Sequence, residues 1–293
     1  MKHRILLISY VFPPFPGVGG RRWAKFARYL ADAGHEVHLI CAKNILKDQS
    51  AWTHDVLHPG IFLYPLPARY PSILLQQPAT FFEKLLYKFW QTIFMLVSNG
   101  SIFERALFWK KQLHKKAIDL IQSKRIETVI VSGPPFHLLH HAVAIKEKMN
   151  NLHVIVDLRD PWTDNKDFFG FSRMSKSRLA YEQKLERETM LGADAILTVA
   201  SKMSEALVKK YPAVKGKVFT LINGFDPREV TTTQFEGEMV RSEKMRFVYA
   251  GSLYPNLEYV FIPFAEYLVR LRKKDPHLYS KLVFDFYGSA AVE

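Results

Sequence analysis

Short runs of β-branched and apolar residues alternate with segments of helical periodicity along most of this chain, and that alternation most restricts its fold. Arg4–Tyr10, Glu36–Ala42, Ile61–Tyr64, Thr128–Ser132, His153–Leu158, Ala195–Val199 and Lys217–Ile222 read as strands. Several are apolar at nearly every position, as expected of strands covered on both faces. The pattern predicts a parallel sheet layered between helices. Trp23, Phe26, Ala27 and Leu30 recur at helical spacing, with Gly34 as the stop. A later helix over 175–191 carries Glu182, Lys184, Glu186 and Arg187, whose charged face reads as solvated surface.

Composition narrows the class. With 48% apolar and 24% charged residues, the chain has the make-up of a globular protein rather than a disordered one. Its 293 residues allow one large or two moderate domains. The single cysteine, Cys41, excludes an internal disulfide, and it ends an apolar run where a small buried hydrophobe is expected. The basic start Met1-Lys2-His3-Arg4 precedes a run, Ile5–Tyr10, too short for a signal peptide, so a cytoplasmic location is expected. The net charge of +13 favours anionic partners: a nucleotide diphosphate, a lipid head group or nucleic acid. Nucleic acid is disfavoured, because no zinc-finger or RNP motif is present and the basic residues are dispersed.

Residues 227–244 turn polar and read as a linker between a first domain, 1–226, and a second that begins at 245. Phe247–Ala250, Tyr259–Arg272 and Leu282–Tyr287 form one strand–helix–strand unit there. A single such unit cannot cover both faces of its sheet, so 245–293 is expected to be an incomplete domain.

The first strand runs into Val11-Phe12-Pro13-Pro14-Phe15-Pro16-Gly17-Val18-Gly19-Gly20-Arg21-Arg22, with a helix starting near Gly20. Gly17, Gly19 and Gly20 allow close backbone approach by a ligand, and a helix N-terminus favours an anion. Arg21 and Arg22 add donors suited to phosphate. A dinucleotide fingerprint fits poorly: Arg22 stands where its third glycine belongs, and Cys41-Ala42-Lys43 where its acidic residue belongs.

Two further segments fall at carboxyl ends of strands, where open α/β sheets place their ligand crevice. One is Val131-Ser132-Gly133-Pro134-Pro135-Phe136-His137; the other is Asp157-Leu158-Arg159-Asp160-Pro161-Trp162. His137, Asp157, Arg159 and Asp160 are therefore candidate ligand-binding or catalytic residues, against the alternatives of an Asp–Arg brace within the loop and a helix-start histidine bonded to backbone. Trp162 suits either an aromatic platform for a ligand or a buried anchor. No Asp-x-Asp, His-x-x-x-His or cysteine cluster has metal-ligand spacing.

Ser9 to Arg22, with Leu30 and Gly34-His35-Glu36-Val37, resembles the N-terminal signature of family-4 retaining glycosyltransferases. The Ser-Gly-Pro-Pro and Asp-x-Arg-Asp-Pro-Trp blocks resemble a bacterial subgroup of that family, and Asn223-Gly224-Phe225-Asp226 resembles the end of its first domain. The resemblance implies an α/β fold of GT-B type, with a doubly wound, Rossmann-like N-terminal domain and a second Rossmann-like domain. It also implies a nucleotide diphosphate-sugar as donor substrate, a sugar or lipid-linked sugar as acceptor, no obligatory metal or cofactor, and a role in bacterial surface polysaccharide or glycolipid assembly. Gly251 and Ser252 would open the donor side, although Tyr254-Pro255-Asn256-Leu257-Glu258 lacks the basic clamp common there. A nucleotide-sugar epimerase of the same fold and a non-catalytic membrane-associated binding protein are the alternatives.

Between Pro78 and Lys116, Phe82, Leu85, Leu86, Phe89, Ile93, Leu96 and Val97 form one helical stripe, explained by core packing. Tyr87, Trp90 and Phe94 form a second, with lysines nearby. That width of apolar face, extended by Lys110-Lys111 and Lys115-Lys116, suits contact with an anionic membrane surface, the alternative being a buried helix pair with a solvated basic face.

Overall fold

The structure is a computed structural model that describes residues 2–97, 104–149, 151–165, 174–229, 244–251 and 257–288. The chain divides into two compact units, Met1–Asp226 and Pro227–Glu293.

The first unit is built on seven strands: β1 (Arg4–Ser9), β2 (Glu36–Ala42), β3 (Ile61–Leu66), β4 (Thr128–Gly133), β5 (His153–Leu158), β6 (Ala195–Thr198) and β7 (Val218–Thr220). Their order is β3-β2-β1-β4-β5-β6-β7, with every pairing parallel. The connecting helices are α1 (Arg21–Asp32), α2 (Phe81–Val97), α3 (Lys110–Lys124), α4 (His137–Lys146), α5 (Lys176–Gly192) and α6 (Ser201–Lys210).

Continuous apolarity in the central strands follows from burial on both sides. Ile5 and Leu7 of β1 pack into a cluster with Trp23, Ala24 and Ala27 of α1, whose small residues let the helix approach closely. Leu6 and Ile8 point the other way, into a cluster with Leu113, Leu139 and Ala142 from α3 and α4. Each fully buried Leu or Ile of this kind contributes about 1.5–3 kcal/mol. Gly34 takes φ +88° just after α1, a conformation a side chain would resist, and so turns the chain into β2. Cys41 is buried, and burial pushes its thiol up to about 12, which makes it an inert packing residue.

The sheet is wound outward in both directions from β1 and β4, which lie side by side. The carboxyl ends of those two strands therefore bound the crevice of a doubly wound sheet.

Two expectations about helix faces are corrected. On α5, Lys184 and Arg187 are exposed, but Glu182 and Glu186 are buried. On α2, it is Phe94 of the second stripe that is buried, edge-on to Tyr70 at 5.0 Å and to Phe108 at 5.6 Å. Apart from the half-buried Ile93, the first stripe, assigned to the core, faces outward instead: Phe82 is 79% exposed and Leu96 77%.

In the second unit, β8 (Met245–Ala250) and β9 (Leu282–Tyr287) pair in parallel, from Met245 opposite Leu282 to Ala250 opposite Tyr287. They are joined through α7 (Glu258–Lys274) and α8 (Pro276–Ser280). Phe247 stacks on Phe284 at 5.1 Å, and Phe264 of α7 meets Phe284 edge-on at 5.3 Å.

Candidate functional site

Three loops from adjacent strand ends converge in the first unit. The loop after β1 is anchored by Phe12 and Phe15, both fully buried, and closes through a single helical turn, Val18–Gly20, into α1. The glycines serve close approach by the protein itself. A Cβ on Gly19 would lie 2.7 Å from Arg159 Nη1, and one on Gly20 would lie 3.1 Å from the Phe12 Cα. Gly17, at φ +127°, makes the turn.

Arg159, just beyond β5, is the buckle of these loops. Its Nη1 donates to the Gly19 carbonyl and its Nη2 to the Pro134 carbonyl. Its Nε donates to the Gly133 carbonyl at 3.1 Å. One guanidinium thus holds the β1 and β4 loops together, a task its planar fork of donors suits.

Asp157 lies deeper, at 0% exposure. It accepts from Trp23 Nε1 at 2.6 Å, Ser132 Oγ at 2.8 Å and Arg22 Nη2 at 3.2 Å. Arg22 in turn donates to the Leu221 carbonyl and to Asn223 Oδ1, both at 2.8 Å. The brace foreseen within the loop therefore exists, but its arginine is Arg22 rather than Arg159. Both side chains brace the scaffold through these bonds.

Above this frame lies a cavity of about 370 Å³, whose lining includes Gly19, Arg21, Arg22, Arg159 and Asp160. Five of the residues singled out in the sequence thus meet around one space. Arg21 also passes over the Trp52 ring at 5.6 Å. Asp160 is the carboxylate of the group that faces the cavity, with no hydrogen-bond partner among the described residues. Burial pushes its pKa above the ordinary carboxylate value, opposed by the charge of Arg159.

Sequence reading missed Lys25 and Tyr29 in this lining, and took Phe225 and Asp226 only as part of the segment that ends the first domain. Lys25 bridges Asp55 at 2.8 Å and Asp226 at 2.9 Å, and Tyr29 donates to Asp226 Oδ1 at 2.9 Å. The spacing held a signal: Arg21, Lys25 and Tyr29 follow one another by four residues, along one face of α1.

His137 is placed elsewhere. It is buried at the start of α4, with Nε2 2.8 Å from Glu182 Oε1. Glu182 also accepts from Trp162 Nε1 at 2.9 Å and from Arg178. Glu104 caps the helix start, accepting the backbone N–H of Phe136 at 3.0 Å and of His137 at 3.3 Å. Burial opposes a charged His137, but Glu104 and Glu182 outweigh it and raise its pKa. Trp162 is a buried anchor stacked on Phe136 at 5.2 Å.

Gly251 follows β8 in the second unit, its N–H donating to the Tyr287 carbonyl at 2.8 Å. Ser252 lies outside the described residues. Among the described residues, no group of three or more His, Cys, Asp or Glu side chains is placed to hold a metal ion.

Comparison with known proteins gives the arrangement a context. No curated protein matches the sequence. Among solved structures, a glycosyltransferase from Rickettsia africae aligns over 99% of this chain and 69% of its own, with 12% identity and a TM-score of 0.50. The catalytic domain of starch synthase IV from Arabidopsis thaliana, bound to ADP and acarbose, aligns over 100% of this chain and 69% of its own, with 10% identity and a TM-score of 0.54. A UDP-forming trehalose-phosphate synthase from Burkholderia vietnamiensis aligns over 99% and 64%, with 13% identity and a TM-score of 0.53. The chain thus spans about two thirds of the length of these proteins, and the shared fold is that of GT-B glycosyltransferases. The sequence model of the glycosyl transferase 4-like domain matches residues 17–224, which include the loops after β4 and β5 and the loop after β1 from Gly17 onward, and the chain belongs to that family.

Proposed function

We propose that this protein transfers a sugar from a nucleotide diphosphate-sugar to an acceptor hydroxyl with retention of configuration, in assembly of a bacterial surface polysaccharide or glycolipid. The observation that carries the reading is Asp160: a carboxylate that lines a cavity at the crevice of a doubly wound sheet, a lining it shares with Arg21. Such a group accepts a hydrogen bond from an acceptor hydroxyl and orients it for attack, and its raised pKa makes it a better proton acceptor than an ordinary carboxylate. Arg21 supplies positive charge where leaving-group or acceptor charge develops. Arg22, Asp157 and Arg159 hold the loops that frame this cavity, and so act as positioning residues. Gly251 and Ser252 remain the expected donor-side positions.

Two measurements test the reading. Titration calorimetry with UDP, GDP and ADP should detect binding of one nucleotide, and binding of none would overturn the donor class. Incubation with the matching nucleotide sugar should release nucleoside diphosphate only when an acceptor is added. Formation of an isomeric nucleotide sugar without acceptor would identify an epimerase instead.

A further inference from the structure

Helix α2 carries a row of apolar residues on the side that faces away from the protein. Glu83, Tyr87, Trp90 and Phe94, spaced three or four apart, line the inner side, where Phe94 meets Tyr70 and Phe108. Opposite them run Phe81, Leu85, Phe89 and Leu96, 77%, 58%, 55% and 77% exposed, with Phe82 beside them at 79%. A helix docked only on its own protein would have the reverse pattern. A row of this size is also beyond the scattered apolar residues of an ordinary surface.

The fully exposed charge on the helix is positive. Lys84 and Lys88, four residues apart, are exposed on one flank of the apolar row. The only acid, Glu83, is turned to the helix start, where it accepts the N–H groups of Ala79 at 2.8 Å and Thr80 at 3.0 Å. Phe108, in contact with Phe94, leads directly into Lys110 and Lys111, both exposed. An apolar row bordered by lysines fits a surface that is apolar inside and anionic at its rim, with the lysine stems lying along the apolar side and their ammonium groups at the head groups. No described helix is long and apolar enough to cross a membrane.

We infer that α2 docks in the plane of an anionic lipid surface, with Phe81, Phe82, Leu85, Phe89 and Leu96 inserted and Lys84, Lys88, Lys110 and Lys111 at the head groups. This goes beyond the proposed sugar transfer and does not depend on it. The test is sedimentation of the whole protein with phosphatidylglycerol-containing vesicles and with vesicles of phosphatidylcholine alone. The expected result is binding to the anionic vesicles that weakens at high salt. Leu85→Glu/Phe89→Glu should reduce that binding by roughly tenfold or more, because two apolar anchors become anions facing an anionic surface. Lys84→Gln/Lys88→Gln should reduce binding and flatten its salt dependence. Exposed positions keep the fold intact in both variants, which unchanged melting temperatures check. Wild-type protein that stays in the supernatant, or a Leu85→Glu/Phe89→Glu protein that binds like wild type, overturns the inference. Concentration-dependent self-association abolished by Leu85→Glu/Phe89→Glu, without vesicle binding, assigns the face to a second copy and overturns it equally. Nucleotide binding measured on the same samples reports separately on the sugar-transfer reading.

Discussion

Arg22 and Asp157 meet at 3.2 Å with side chains 6% and 0% exposed, joining the first turn of α1 to the end of β5. A buried ion pair of this kind is weak evidence for net stability when intact, but removing one partner leaves a charge without compensation. Asp157 would keep Trp23 and Ser132 as donors, and Arg22 would keep the Leu221 carbonyl and Asn223. The pair thus ties the sheet, the first helix and the segment ending at Asp226 into one frame.

Arg22→Ala should therefore destabilise the protein by about 3–5 kcal/mol in urea denaturation, the range for an orphaned buried charge. Arg22→Ala combined with Asp157→Asn should cost less than the sum of the single changes, because no charge remains to be orphaned. A loss below about 1 kcal/mol for Arg22→Ala would show that the pair is not held as described.

Gly19→Ala places a methyl group 2.7 Å from Arg159 Nη1, closer than a Cβ can approach. Arg159 cannot retreat without releasing carbonyls of Gly19, Gly133 and Pro134. The expected cost is about 1–3 kcal/mol, with a larger loss of turnover because the loop above the cavity moves. Wild-type stability and turnover in this variant would contradict the tight contact.

Asp160→Asn separates function from stability. Turnover should fall by about 10²–10⁴-fold if the carboxylate acts on the acceptor hydroxyl. Because burial raises the folded-state pKa of Asp160 above its unfolded value, the neutral form is favoured by folding, and ionisation at neutral pH works against the native state. The Asn variant should thus melt higher than wild type at about pH 7, and the difference should shrink as pH falls through the raised folded-state pKa of Asp160. Paired melting curves across that range check the sign. A variant that melts lower at neutral pH would contradict it.

His137 titrates in the opposite sense to an isolated buried histidine. Its folded-state pKa is raised by Glu104 and Glu182 despite burial, so its contribution is complete below the unfolded value of 6.5 and is lost as pH rises through the higher folded value. Wild-type stability should fall over that interval. His137→Gln should remove this component while lowering stability near pH 6 by about 3 kcal/mol, since Glu182 loses a charged partner. Stability measured by urea denaturation at several pH values tests both statements.

Much of this molecule was legible in local patterns. Apolar runs at β1, β2, β4 and β5 identified strands buried on both faces, since that periodicity reflects the environment on each side of a strand. The placement of Gly19, Arg21, Arg22, Arg159 and Asp160 around one cavity was also accessible, because a parallel α/β sheet brings its strand ends to one edge. Within that group the roles were not legible. Asp157 and Asp160 are three residues apart at one strand end, yet one is sealed under Trp23 and Ser132 and the other opens to the cavity.

The same limit explains α2 and α5. Periodicity marked two apolar stripes on α2 and a charged face on α5, but a stripe has no label for inside. Tyr70 and Phe108 drew Phe94 inward and left Phe82 and Leu85 outside. His137, Arg178 and Trp162 supplied the partners that allow Glu182 to be buried. Sequence by itself determined the elements, their order and the edge where ligands meet the sheet, because those depend on local spacing. Tertiary structure alone decided which side chains are framework and which are exposed, because burial depends on partners from distant segments that must satisfy each charge and hydrogen bond.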